Sequence, residues 1–179
     1  MNRRTLLTTL IGGGTLGALA GCGIVTSTTV NGVTTVTINV AKIDQYGTAL
    51  ASFTASVAGV PGLGQYLVPV EAIETVVLQD VAAFDAAAGG QTVLTFDANS
   101  IPAAINSILA DGKSLLTTIG KALPSSVIVG TVLEAFNAVQ TIVLLVEALL
   151  PVDTKLAAAA APRPLPMTEA RALAVLGVR

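Results

Sequence analysis

The change of hydrophobic period at residue 41 constrains this chain more than any other feature. Residues 24–40 read IVTSTTVNGVTTVTINV, two Thr/Val-rich runs around Asn31-Gly32, with apolar positions at Val33, Val36, Ile38 and Val40. Alternation with a period of two belongs to a strand, and a step of three to four belongs to a helix. An Asn-Gly pair between alternating runs is a strong local signal for a β-hairpin with a type I′ turn. The expected strands are 25–30 and 33–40. A lone hairpin is marginal in water, so it must lie on helices or gain a strand. Gln91-Thr92-Val93-Leu94-Thr95-Phe96-Asp97 is the candidate third strand. The Thr/Ser content of 23–30 equally suits a flexible tether.

From Ala41 onward the apolar residues step by three or four. Ile43, Tyr46, Leu50, Phe53 and Val57 mark one face of a helix near 41–58, which Gly59-Val60-Pro61-Gly62-Leu63-Gly64 breaks. A second helix near 69–88 places Val70, Ile73, Val77, Val81 and Phe84 together and ends at Ala88-Gly89-Gly90. A third, near 101–121, carries Ile101, Ile105, Ile108, Leu115 and Ile119. Asn99 or Ser100 would cap it, with Pro102 in its first turn. Pro124 separates it from a fourth helix near 125–150.

The fourth helix is apolar over most of its circumference. Val129, Val132, Leu133, Phe136, Val139, Ile142, Val143, Leu144, Leu145, Val146 and Leu150 leave only a narrow polar stripe of Asn137, Gln140, Thr141 and Glu147, with Glu134 at its edge. Such a helix is central in a bundle or meets another apolar surface. Glu134 and Glu147 argue against a membrane span, since each would cost a few kcal/mol near the bilayer centre. They are expected at the edge of the helix, facing water. With 53% hydrophobic residues but only 3% aromatics, the core must be built from Ala, Val, Leu and Ile. The expected fold is mainly α: a four-helix antiparallel bundle with a small N-terminal β-hairpin and a possible short third strand at 91–97.

Both ends of the chain differ from this body. Residues 151–167 read PVDTKLAAAAAPRPLPM, a semi-stiff Ala/Pro-rich linker. Residues 168–179 begin with a short capped helix, with Thr168 as cap, Leu173 and Leu176 as apolar positions and Gly177 as stop. Such an element on a Pro-rich leash either docks on a protein partner or folds back on its own bundle.

At the other end, Met1-Asn2-Arg3-Arg4 is a short positive segment, Thr5 to Ala20 is moderately apolar, and small residues precede Cys22. Positive start, apolar middle and small-residue cut site describe a secretory signal covering 1–21. Leu19-Ala20-Gly21-Cys22 resembles the bacterial lipobox. The resemblance implies that Cys22 receives a diacylglyceryl group and becomes the new N-terminus. Arg3-Arg4-Thr5-Leu6-Leu7 resembles the twin-arginine export signal, departing from it at Asn2 and Thr8; the Sec route stays open. Gly23, rather than Asp, after the cysteine implies the outer membrane by resemblance to the lipoprotein sorting pattern. Together these readings divide the chain into a cleaved signal (1–21), lipid attachment, tether and hairpin (22–40), helical domain (41–150), linker (151–167) and C-terminal helix (168–179). The resemblance covers residues 2–23 and carries no activity with it.

Chemistry is mostly excluded. With no His and one Cys, the commonest metal ligand, the usual general base and any intrachain disulfide are missing. Removing Arg3 and Arg4 leaves seven basic against eleven acidic residues, a net charge of −4, which opposes nucleic-acid binding. Gly12-Gly13-Gly14-Thr15-Leu16-Gly17 fits G-x-G-x-x-G, but no strand precedes it. Asp80 and Asp85 lie about 140° apart on a helix and share no face. Glu71 and Glu74 share one, expected to be a solvated exterior. Asp97-Ala98-Asn99-Ser100 is oxygen-rich but lacks the other ligands of a calcium loop. Tyr46 and Tyr66 have no nearby base in the sequence.

The expectation is a lipid-anchored cell-envelope protein of structural or interaction type, without enzymatic activity, cofactor or metal. Its expected partners are the membrane, through lipid on Cys22, and a protein meeting the C-terminal helix. The alternative is a binding protein holding an apolar ligand between its helices. An enzyme working with carboxylates alone would need two acids converging in one cleft.

Overall fold

The computed structural model describes residues 25–30, 33–60, 63–97, 102–122, 130–148 and 165–178. Arg3, Arg4, Cys22, the rest of the signal, the Asn31-Gly32 turn, Ile101, Val129, Leu150 and linker residues 151–164 lie outside them. The fold is mainly α-helical with a small antiparallel sheet. Its elements are β1 (Val25–Val30), β2 (Val33–Asn39), α1 (Val40–Leu50), α2 (Phe53–Val57), α3 (Gly64–Ala88), β3 (Val93–Asp97), α4 (Ala103–Ala122), α5 (Gly130–Glu147) and α6 (Glu169–Val175).

β2 is the central strand, with β1 and β3 antiparallel on either side. Val30 pairs with Val33, the closing pair of a two-residue hairpin. On the inner face Val36 and Ile38 are buried, opposite the half-buried Phe96 and Leu94 of β3. On the outer face Thr37 and Thr95 join their hydroxyls at 3.0 Å. Val33 falls on that outer side and is exposed, so the inward alternation runs Val36, Ile38, Val40 only. The third strand expected at 91–97 forms at 93–97 and completes the sheet. The ladder continues one step beyond β2, where Val40 N donates to Thr92 O at 3.1 Å. Asn39 then turns strand into helix, its Oδ1 accepting from Lys42 N at 3.3 Å.

The helix expected at 41–58 divides at Ala51-Ser52 into α1 and α2. All five of its marker residues, Ile43, Tyr46, Leu50, Phe53 and Val57, are buried. α3 begins at Gly64, five residues before the expected start, and runs through Pro69. Proline cannot donate a backbone bond, so it reads from sequence as a start; here the helix continues past it. Gly89 ends α3 at φ 60°, donating to Asp85 O at 3.1 Å.

Contacts fix the sense of the first helix pair. Asp44 meets Asp85, Gly47 meets Val81, and Thr54 meets Glu74, so α1–α2 and α3 run antiparallel. A Cβ on Gly47 would overlap Val81 Cγ2, which shows how closely the two helices approach. A Cβ on Gly112 of α4 would lie 2.8 Å from Val143 Cγ2 and 3.3 Å from Leu50 Cδ1, a second tight point joining α4, α5 and α1.

α5 is the central helix, packed against α1, α2, α4 and α6. Val132, Ala135, Ala138, Val139, Ile142, Val143, Leu145 and Val146 are buried, and so is Thr141, whose Oγ1 donates to Asn137 O at 2.9 Å. Among the described helices α5 alone is long and apolar enough to cross a membrane, and half of it is buried inside the body. That burial accounts for its apolarity.

Candidate functional site

The acidic residues give the body its distinctive chemistry. Asp85 and Asp80 leave α3 in different directions, as their spacing requires. Each lies near an aspartate of another helix: Asp85 near Asp44 of α1, and Asp80 near Asp111 of α4. Burial, then the hydrogen bond and charge of Asp85, push Asp44 from the ordinary 3.8 up to about 6. Burial, then the same two effects of Asp80, raise Asp111. Asp44 Oδ1 is sealed from solvent with no hydrogen-bond partner.

Glu74 corrects the sequence reading. It was expected on a solvated stripe beside Glu71, yet it is only 7% exposed, while Glu71 is exposed. The break at Ala51-Ser52 leaves the first N–H groups of α2 without helical partners. Glu74 Oε1 accepts one of them, Thr54 N, at 2.7 Å. Burial raises the Glu74 pKa, and the Thr54 hydrogen bonds pull it back down.

A groove of about 450 Å³, open to solvent, runs beside Asp44. Asn39, Lys42, Asp44, Gln45 and Thr48 line it, with Val178 from the chain beyond α6. Asp44 in its raised state could give or take a proton near neutral pH. Tyr46 is buried in the core; the Tyr66 side chain lies outside the described residues. Asp97 ends β3, and Ala98, Asn99 and Ser100 lie outside the described residues. Among the described residues no three acidic or Cys side chains cluster to hold a metal ion.

The C-terminal helix folds back on its own body. Thr168 caps it, its Oγ1 accepting from Arg171 N at 3.4 Å. Ala172, Leu173 and Leu176 are buried against the core. Two ion pairs seat it: Lys42 Nζ to Glu169 Oε1 at 2.6 Å and Arg171 Nη2 to Glu134 Oε1 at 2.7 Å. Glu147 holds Lys113 at 3.0 Å. Glu134 and Glu147 thus stand at the edge of α5, partly exposed and paired. Ala170, Arg171 and Ala174 face outward from α6.

Sequence reasoning passed over Asp44 and Asp111. A faint signal existed, since each lies close before a glycine that packs against another helix, Gly47 and Gly112. The acidic partners come from other helices, and no local spacing announces them. The chain matches no known family model, no curated protein and no solved structure.

Proposed function

We propose that this is a lipid-anchored protein of the bacterial cell envelope, held to the outer membrane through Cys22 and facing the periplasm, with a structural or interaction role rather than a catalytic one. The observation that carries this is the order Arg3-Arg4, an apolar stretch, then Leu19-Ala20-Gly21-Cys22. β1 begins at Val25, so the sheet stands three residues from the attachment point. Two acyl chains give stable attachment where one gives only marginal binding. A protein partner at the C-terminal helix would meet its outward side or displace it from its seat on α5.

Fractionation tests the reading. The wild-type chain is expected in the membrane fraction, and Cys22→Ala is expected to lose that location and keep an unmodified N-terminal region. Wild-type chain that stays in the cytoplasm with Met1 intact contradicts it.

A further inference from the structure

Charge is divided unequally between the sheet and the helices. β1, β2 and β3 read VTSTTV, VTTVTIN and VLTFD, and Asp97 at the end of β3 is the one charged residue in them. Every other charged residue among the described ones lies on a helix, with Glu71, Asp85, Lys113, Lys121 and Arg171 exposed. The inner face of the sheet is committed to the core through Val36 and Ile38. The opposite face presents Val33, Thr35 and Thr37 of β2 beside Val93 and Thr95 of β3, with Val33 52% and Val93 48% exposed. Register sets Thr26, Thr28 and Val30 of β1 across from Thr37, Thr35 and Val33.

This outer face loses little on leaving bulk water. From Thr35 to Asn39, β2 is paired on both sides, so its backbone groups are satisfied within the sheet. The Thr37 and Thr95 hydroxyls satisfy each other at 3.0 Å. A helical side pressed into the same surroundings would have to desolvate ions, which costs far more than desolvating a bonded hydroxyl. The chain that precedes the sheet indicates what meets the face. Cys22, Gly23 and Ile24 separate the attachment point from β1. Three extended residues reach at most about 11 Å. A lipid on Cys22 therefore keeps the start of β1, an edge strand of this sheet, at the headgroup layer.

We propose that the outer face of the sheet lies against the bilayer surface, with Val33 and Val93 in the headgroup layer and the charged helices turned away from it. This rests on lipid attachment at Cys22. The anchor holds one edge of the sheet at the membrane, and the uncharged Thr/Val face sets which way the body lies. Such a face is too weakly apolar to bind lipid alone, since interfacial binding scales with buried apolar area. The short tether makes its contact intramolecular and supplies the effective concentration that a weak contact needs. The net charge of −4 left after the signal acts in the same sense, because a bilayer containing anionic lipid repels the acidic helices more than the sheet.

The chain has no tryptophan, so a single introduced one reports its own surroundings. The test uses the chain purified from membranes and reconstituted in phosphatidylcholine vesicles with plain or brominated acyl chains, in Val33→Trp, Val93→Trp and, on α3, Leu78→Trp. All three positions are exposed, so no replacement enters the core. Bromine is expected to quench Trp at positions 33 and 93 at least twice as strongly as at position 78, with blue-shifted emission at both sheet positions. Quenching at the sheet positions that is no stronger than at position 78, in chains that float with the vesicles, overturns the docking and leaves the anchor standing. Blue-shifted emission at 33 and 93 without quenching puts protein on the face, a second copy or the chain's own linker, and also overturns it. A chain that does not float and keeps an unmodified N-terminal region overturns anchor and docking together.

Discussion

The seam between α1 and α3 and the seat of α6 on the body are held by opposite electrostatic means. At the seam, acid faces acid across a close approach made possible by Gly47. At the seat, acid faces base: Lys42 with Glu169, Arg171 with Glu134. The Arg171–Glu134 pair is exposed, and such pairs contribute little and weaken with salt, while Lys42–Glu169 is part-buried. They suit an element that Ala172, Leu173 and Leu176 already hold by apolar burial. At the seam, burial and the neighbouring Asp85 raise the Asp44 pKa, one turn from the Gly47–Val81 approach.

The largest way to break this contrast is to spoil the close approach. Gly47→Leu is expected to destabilise the whole fold by about 3 kcal/mol through overpacking against Val81, read by chemical denaturation. A change under about 1 kcal/mol would mean that the seam is loose. Leu173→Ala should cost about 2 kcal/mol, but locally. Hydrogen exchange should rise in α6 and leave α1–α3 protected, because the seat can open while the core stays closed. Uniform loss of protection would instead make α6 part of one cooperative unit with the body. The smallest effect is Arg171→Ala, expected below about 1 kcal/mol and fading at high salt. A salt-independent loss would contradict the electrostatic description of the seat.

Much of the fold was legible because periodicity reports local geometry. The switch at residue 41 marked the strand-to-helix transition to within one residue, since α1 begins at Val40. Ile105, Ile108, Leu115 and Ile119 are all buried as their spacing required. The misses have physical causes. Pro69 read as a start because proline suits a first turn, yet Gly64–Val68 extends the helix before it. Ile43, Leu50 and Val57 keep one apolar face across the Ala51-Ser52 break, so the break leaves no trace in the pattern. Glu74 looked like a surface acid because its partner, Thr54 N, exists only once that break forms. The aspartate pairs and the Lys42–Glu169 pair, 127 residues apart, depend on how helices dock, and composition and spacing carry no record of that. The lipobox resemblance is the reverse case: it rests on four adjacent residues, Leu19-Ala20-Gly21-Cys22.

The most direct measurement of the acid facing acid at the seam is a carboxyl-carbon NMR titration of Asp44 in wild type and in Asp85→Asn. An inflection near 6 in wild type that falls toward the ordinary aspartate range in the variant is the expected result. An Asp44 that titrates near 3.8 in both would contradict it.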